Sequence, residues 1–202
     1  MSAQSLDEAL ATRAQSGDIT AFECIARNYQ AILLRFVRCN FSNIPDPEDV
    51  VQESLLKAFE NIDKYRPTWP LKNWLLTLTY RMAISRIRHH HVQVRLLESL
   101  RSRVIAEVPN PADAVADHEE SRNLWKIAAK ILTPTQFQAV WLLYAEDMNR
   151  GEIAKILGKT RPTTKLILYR ATKKLQLHFG AMAGRFTEHV GSGGQMIQGV
   201  LL

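Results

Sequence analysis

The sequence predicts an all-α protein, two small helical domains joined by an acidic linker. Three observations carry that prediction. Apolar residues recur at spacings of three and four through most of the 202 residues, and no run shows the alternation and β-branched enrichment of a strand. Proline, glycine and capping residues punctuate the apolar runs where helices should begin and end. Between Val104 and Ser121 the composition shifts: five acidic residues (Glu107, Asp113, Asp117, Glu119, Glu120), no Lys or Arg, and a "PNP". That is the composition of a linker rather than a core. The chain is long enough for one or two domains that each bury a core. Its 46% hydrophobic and 23% charged residues are ordinary for a globular protein.

The first helix is "SLDEALATRAQ", interrupted by "SGD". The second runs from Ile19 to Asn40, with Phe22, Ile25, Tyr29, Leu33 and Phe36 on one stripe. "FSNIPDP" is a loop, and its Pro47 suits the first turn of a third helix. There Val51, Leu55, Ala58 and Ile62 share a face that Val50 and Phe59 widen. "DKYRPTWP" breaks the pattern, and a fourth helix is expected from Leu71 to about His91, with Leu71, Leu75, Leu78 and Met82 in register. These elements form a first domain over residues 1–95, followed by a linker over 96–121. A second helical domain spans 122–178, and a glycine-rich, flexible tail ending in "MIQGVLL" spans 179–202.

The second domain carries the sharper local signals. "TPTQ" at Thr133–Gln136 combines a Thr cap, Pro at the first helical position and Gln at the third. Phe137, Val140, Trp141 and Tyr144 follow on that helix. "NRGE" at Asn149–Glu152 is a second capping box, opening a short helix that Gly158 ends. Thr160 then caps a third helix, with Pro162 in its first turn. Two helices joined by a short Gly-containing turn form a helix-turn-helix, whose second helix enters the major groove. Lys155–Lys174 holds seven basic residues and no acid. With Thr164, Leu168, Ala171 and Leu175 as core stripe, the opposite side shows Arg161, Thr163, Lys165, Ile167, Arg170 and Lys174. The bland alternative is a small bundle with a solvated basic face; the coincidence of caps, turn glycine and charge favours DNA.

The first domain mixes charges. Asp46, Glu48, Asp49 and Glu53 fall within eight residues, although the chain carries a net charge of +6. They lie on the polar side of the third helix, clear of its apolar stripe. Helix-dipole preference explains Asp46 to Asp49 but not Glu53. Downstream, "KYRPTWPLKNW" alternates aromatics with cations. Tyr65 and Trp69 offer flat faces for unstacked bases, and Lys64, Arg66 and Lys72 offer phosphate contacts. Trp74 adjoins the apolar stripe and is read as core.

Other chemistry finds little purchase. "HHH" at His89–His91 places neighbours on different helical faces, so no metal and no cofactor is expected. No phosphate-cradling glycine loop, nucleophile elbow or HExxH is present. Cys24 and Cys39 are expected to be buried and reduced. The N-terminus lacks a basic start before an apolar run, and no stretch reaches the roughly 20 apolar residues of a membrane span, so a cytoplasmic protein is expected.

Taken together, "SGDITAFECIARNYQAILLRF", "DPEDVVQESLLKAFENIDKY", "LKNWLLTLTYRMAISRIRHH" and "LTPTQFQAVWLLYAEDMNRGEIAKILGKTRPTTKLILYRATKKL" resemble the extracytoplasmic-function group of bacterial RNA polymerase sigma factors. The resemblance covers about Leu6 to Leu175. It implies that the domains are sigma domain two and sigma domain four, and that the protein is a non-catalytic transcription initiation factor. Asp46, Glu48, Asp49, Gln52 and Glu53 would then face the β′ clamp helices of core RNA polymerase, and the β subunit flap would be a second contact. Tyr65, Arg66, Trp69, Lys72, Arg81, Ser85 and Arg88 would serve the −10 element, with the loop from Asp63 to Lys72 capturing a flipped base of the non-template strand. Lys159, Arg161, Thr163, Lys165, Ile167, Arg170 and Lys174 would read the −35 element. An anti-sigma factor is a further implied partner. Arg81, Ser85 and Ile167 depart from the Asn, Asp and Arg common in the family and leave the promoter sequence open. Two other classes compete: a helix-turn-helix regulator that never joins polymerase, and an enzyme acting on nucleic acid.

Overall fold

The computed structural model describes residues 3–42, 44–100 and 119–180. Among these there are eight α-helices, one 3-10 turn and no strand. The chain divides into two compact units, at Asn110/Pro111.

The first unit contains α1 (Ala3–Gln15), α2 (Ile19–Asn40), α3 (Pro47–Glu60), the 3-10 turn Ile62–Lys64 and α4 (Leu71–Leu100). Helix α2 starts where Asp18 accepts a hydrogen bond from the Ala21 N–H at 3.2 Å. Gly17, at φ +94°, supplies the left-handed turn that a side chain would resist. The expected α2 stripe is buried throughout. Helix α3 packs against α2 and α4 through Val50, Val51 and Ala58, all essentially inaccessible. Leu55 is only half-buried, and Phe59 is 41% exposed with its ring edge on Phe22 at 5.1 Å. On α4, Leu71, Leu75, Leu76 and Ala83 complete the core. Thr77 and Thr79, buried there, donate to the carbonyls of Asn73 and Leu75, so no hydroxyl is stranded.

Helix α4 continues past His91 to Leu100, through five positions expected in the linker, because "HHHVQVRLLESL" contains neither Gly nor Pro to stop it. Cys24 is exposed rather than buried, because it falls off the Phe22/Ile25/Tyr29 stripe; Cys39 is buried. Both are free thiols.

The second unit contains α5 (Glu119–Ile131), α6 (Pro134–Tyr144), α7 (Arg150–Leu157) and α8 (Arg161–Gly180). Both expected capping boxes form. Thr133 and Gln136 exchange side-chain and backbone hydrogen bonds at the start of α6. Asn149 accepts from the N–H groups of Gly151 and Glu152, while Glu152 accepts from the Asn149 N–H at 2.8 Å. Gly158 ends α7 at φ +62°. Trp125, Phe137 and Trp141 form an aromatic cluster, Trp125 and Trp141 lying 4.7 Å apart. Thr164, Leu168, Ala171 and Leu175 are all buried, so α8 turns its predicted stripe inward. Helix α5 starts at Glu119, three residues before the expected Arg122. The remaining linker and the tail beyond Gly180 lie outside the described residues.

Candidate protein-docking and nucleic-acid interfaces

The polar side of α3 is an exposed carboxylate row. Asp46, Glu48, Asp49, Gln52 and Glu53 are all exposed. Pro47 at the first helical position and Glu48 and Asp49 in the first turn are the sequence features that start the helix there. Asp46 stands at the N-cap without a side-chain capping bond, so its carboxylate faces outward. Two members of the row are paired within the unit. Glu48 accepts from Arg38 of α2, and Glu53 accepts from Arg86 of α4. Both pairs are about half solvated, where an ion pair contributes only roughly 0–1 kcal/mol. A basic partner surface can therefore displace either arginine at little cost. Neither arginine was evident as a partner in the sequence, since the pairs join residues 10 and 33 positions apart.

The loop after α3 is tied down at several points. The Tyr65 N–H donates to the Ile62 carbonyl at 3.1 Å, and the Tyr65 hydroxyl donates to the Trp69 carbonyl at 2.9 Å. Gln15 of α1 reaches the same segment, its Nε2 donating to the carbonyls of Ile62 and Tyr65 at 2.8 and 2.9 Å. Arg66 folds back onto the Asp63 carbonyl at 2.6 Å. Tyr65 corrects one expectation: its ring is 3% exposed and packs on Trp74 at 5.5 Å, so it offers no face to a base. Burial raises its hydroxyl pKa above the ordinary phenol value. Arg66, Pro67 and Thr68 are exposed, and Trp69 and Lys72 are half-buried. On α4, Arg81 and Arg88 are exposed and Ser85 is half-buried; spacings of four and three place them on one face.

In the second unit, Lys159, Arg161, Thr163, Lys165, Arg170 and Lys174 are exposed and Ile167 is half-exposed. Thr160 caps α8 by accepting from the Thr163 N–H at 3.3 Å. The starts of α7 and α8 meet at an open groove lined by Leu143, Arg150, Gly151, Arg161, Pro162 and Lys165. Gly151 permits this closeness: a Cβ there would lie 3.1 Å from Asn149 Oδ1 and 3.3 Å from the Arg161 guanidinium. Arg150 thus joins Arg161 and Lys165 as a third cation at the groove. No cluster of His, Cys, Asp or Glu placed to hold a metal occurs among the described residues. No helix of the described residues is long and apolar enough to cross a membrane.

Two protein-family models match the chain, Sigma-70 region 2 over residues 22–92 and Sigma-70 region 4 over residues 129–175. The first spans most of α2, all of α3 and most of α4; the second spans the end of α5 and all of α6 and α7, with most of α8. Among curated relatives, the ECF RNA polymerase sigma factor SigW of Bacillus subtilis is 26% identical over 171 residues, covering 80% of this chain and 90% of that protein. The ECF RNA polymerase sigma-E factor of Salmonella typhimurium is 26% identical over 191 residues, covering 87% and 95%. Among solved structures, the sigma factor RpoE of Bartonella quintana, crystallised with the anti-sigma factor NepR, superposes with a TM-score of 0.60 at 24% identity. It covers 78% of this chain and 96% of that one. At that identity the superposition speaks for the fold.

Proposed function

The chain belongs to the extracytoplasmic-function group of RNA polymerase sigma factors, and from that membership we propose how its surfaces divide the work. It is a transcription initiation factor whose partners are core RNA polymerase and promoter DNA. The first unit docks on polymerase and handles the −10 element; the second reads the −35 element. The observation that carries this division is the exposed carboxylate row on α3, in a unit whose neighbouring loop and helix are basic.

Asp46, Glu48, Asp49, Gln52 and Glu53 form the polymerase contact. A carboxylate row would repel a phosphate backbone but complements a basic protein surface, steering the encounter and setting register. Trp69 and Arg66 serve the captured base of the opened strand, with Lys72, Arg81, Ser85 and Arg88 along its path. Tyr65 organises that loop from beneath rather than touching DNA. Lys159 in the turn before α8, with Arg161, Thr163, Lys165, Ile167, Arg170 and Lys174 on α8, face the −35 duplex, and Arg150 adds a backbone contact. Melting is driven by tighter binding of the opened strand than of the duplex. No chemical step falls to this protein; polymerase performs the synthesis, and the cytoplasm, where polymerase works, is the expected compartment. An anti-sigma partner remains an expectation of the family resemblance.

A helix-turn-helix regulator acting without polymerase would leave the α3 row and the aromatic loop without a purpose. The test is charge reversal. Asp49→Lys with Glu53→Lys should weaken binding to core polymerase at least about tenfold, mostly in association rate at low salt. Helix content by circular dichroism should stay unchanged. Core affinity equal to that of the wild type would remove α3 from the interface.

A further inference from the structure

We propose that Gln15 is a positioning residue for the base-capturing loop, holding that loop from α1, a helix outside the matched sigma-70 region 2. The inference rests on the reading of Asp63–Lys72 as that loop. A carboxamide nitrogen carries two N–H donors, and Gln15 directs both at backbone carbonyls, Ile62 at 2.8 Å and Tyr65 at 2.9 Å. Those carbonyls bracket the exit of the 3-10 turn, where the Tyr65 N–H already returns to the Ile62 carbonyl. Fixing both sets the direction in which the chain leaves toward Arg66, Pro67 and Thr68, which are exposed.

The bonds continue on either side of Gln15. Downstream, the Tyr65 ring lies on Trp74 and its hydroxyl donates to the Trp69 carbonyl at 2.9 Å, closing the loop on itself. Upstream, α1 is pinned to α2 by the Tyr29 hydroxyl, which donates to Asp7. The end of α1 is held by the ion pair of Arg13 with Asp18 at 2.6 Å. Gln15 therefore stands on a helix held to α2 at Asp7 and again near its C-terminal end at Arg13. A base drawn from its stack must meet a pocket whose parts are already in place. A loop that orders only on binding loses affinity to its own entropy. Gln15 keeps the loop ordered before the base arrives.

The test uses the full chain bound to core polymerase. The probes are non-template-strand oligonucleotides from a promoter the holoenzyme opens, each with one abasic site. For wild type, one −10 position should show a loss of roughly tenfold when its base is removed, the order expected for one base stacked on protein. Gln15→Leu keeps the bulk and loses both donors. It should shrink that loss to less than about twofold, leaving the response at other positions, core affinity and melting temperature close to wild type. A Gln15→Leu factor with the full abasic penalty overturns the proposal. So does one that loses affinity evenly at every position together with core affinity, since that marks general destabilisation. If Gln15→Leu does not fold, Gln15→Asn, one methylene short of the carbonyls, takes its place with the same two outcomes. Absence of any abasic-sensitive position in wild type sinks the loop reading itself, and this inference with it; sensitivity unchanged by the substitution sinks the inference alone.

Discussion

Asp18 shows how much one side chain can be asked to do. It caps α2, accepts from the Thr20 hydroxyl and pairs with Arg13. The Thr20 hydrogen bond, then Arg13 and the Ala21 N–H, lower its pKa from 3.8 to about 2. A carboxylate depressed in the folded state adds stability that is fully present above its unfolded pKa. That contribution fades as pH falls through the folded value, so the window lies between about pH 4 and pH 2. Asp18→Asn should flatten acid unfolding within that window, which a pH series followed by circular dichroism reads directly. In the second unit, Asn149→Ala removes the acceptor for two N–H groups at the start of α7. The expected cost is about 1 kcal/mol, or roughly 4–8 °C in the melting temperature of a unit this small. Asn149 was readable from "NRGE" because its partners lie two and three residues away. Asp18 carries an equally local signal, an Asx residue just before a helical stripe. Gln15 had none: its partners are 47 and 50 residues distant, and only folding brings them together.

The elements fall into those whose ends are written locally and those whose ends are not. Helices α6, α7 and α8 begin where Thr133, Asn149 and Thr160 cap them, and α7 stops at Gly158. Each signal acts within four residues, so the helix-turn-helix was legible from sequence. Helix α4 was not, because nothing near His91 breaks it. Periodicity also separated the two sides of α3, leaving every acidic position exposed. It missed that Arg38 and Arg86 approach two of those acids from other helices. Aromatic residues misled for a related reason: "KYRPTW" reads as alternating cations and rings, yet the turn at Ile62–Lys64 rolls Tyr65 into the core. For α8 the exposed cations give a quantitative expectation. Arg161→Ala and Lys165→Ala should each reduce the salt slope of duplex binding by about one phosphate contact. A substitution that reads a base edge would instead relax sequence preference at a single −35 position. Equal salt slopes for wild type and both variants would remove these two residues from the backbone contact.

At the scale of the whole chain, a net charge of +6 and an acidic helix look contradictory until each surface is given its own partner. In the proposed division, basic residues serve the nucleic acid and the carboxylate row serves a protein. The order of the two matched regions, region 2 before region 4, supplies what neither motif supplies alone. A helix-turn-helix by itself describes any number of regulators; joined to a sigma-70 region 2 unit with an acidic helix face and an aromatic loop, it describes an initiation factor. Arg81, Ser85 and Ile167, which the proposal assigns to promoter reading, differ from the residues common in the family. The most direct measurement is run-off transcription with purified core polymerase on genomic promoter fragments. The account predicts transcripts from a defined subset of fragments, starting at a fixed distance from their −10 elements, only when factor and core are both present. Asp49→Lys with Glu53→Lys should abolish them without abolishing the binding of α8 to −35 duplex. A factor that supports no initiation on any fragment, and binds its DNA equally well with and without core, would contradict the account.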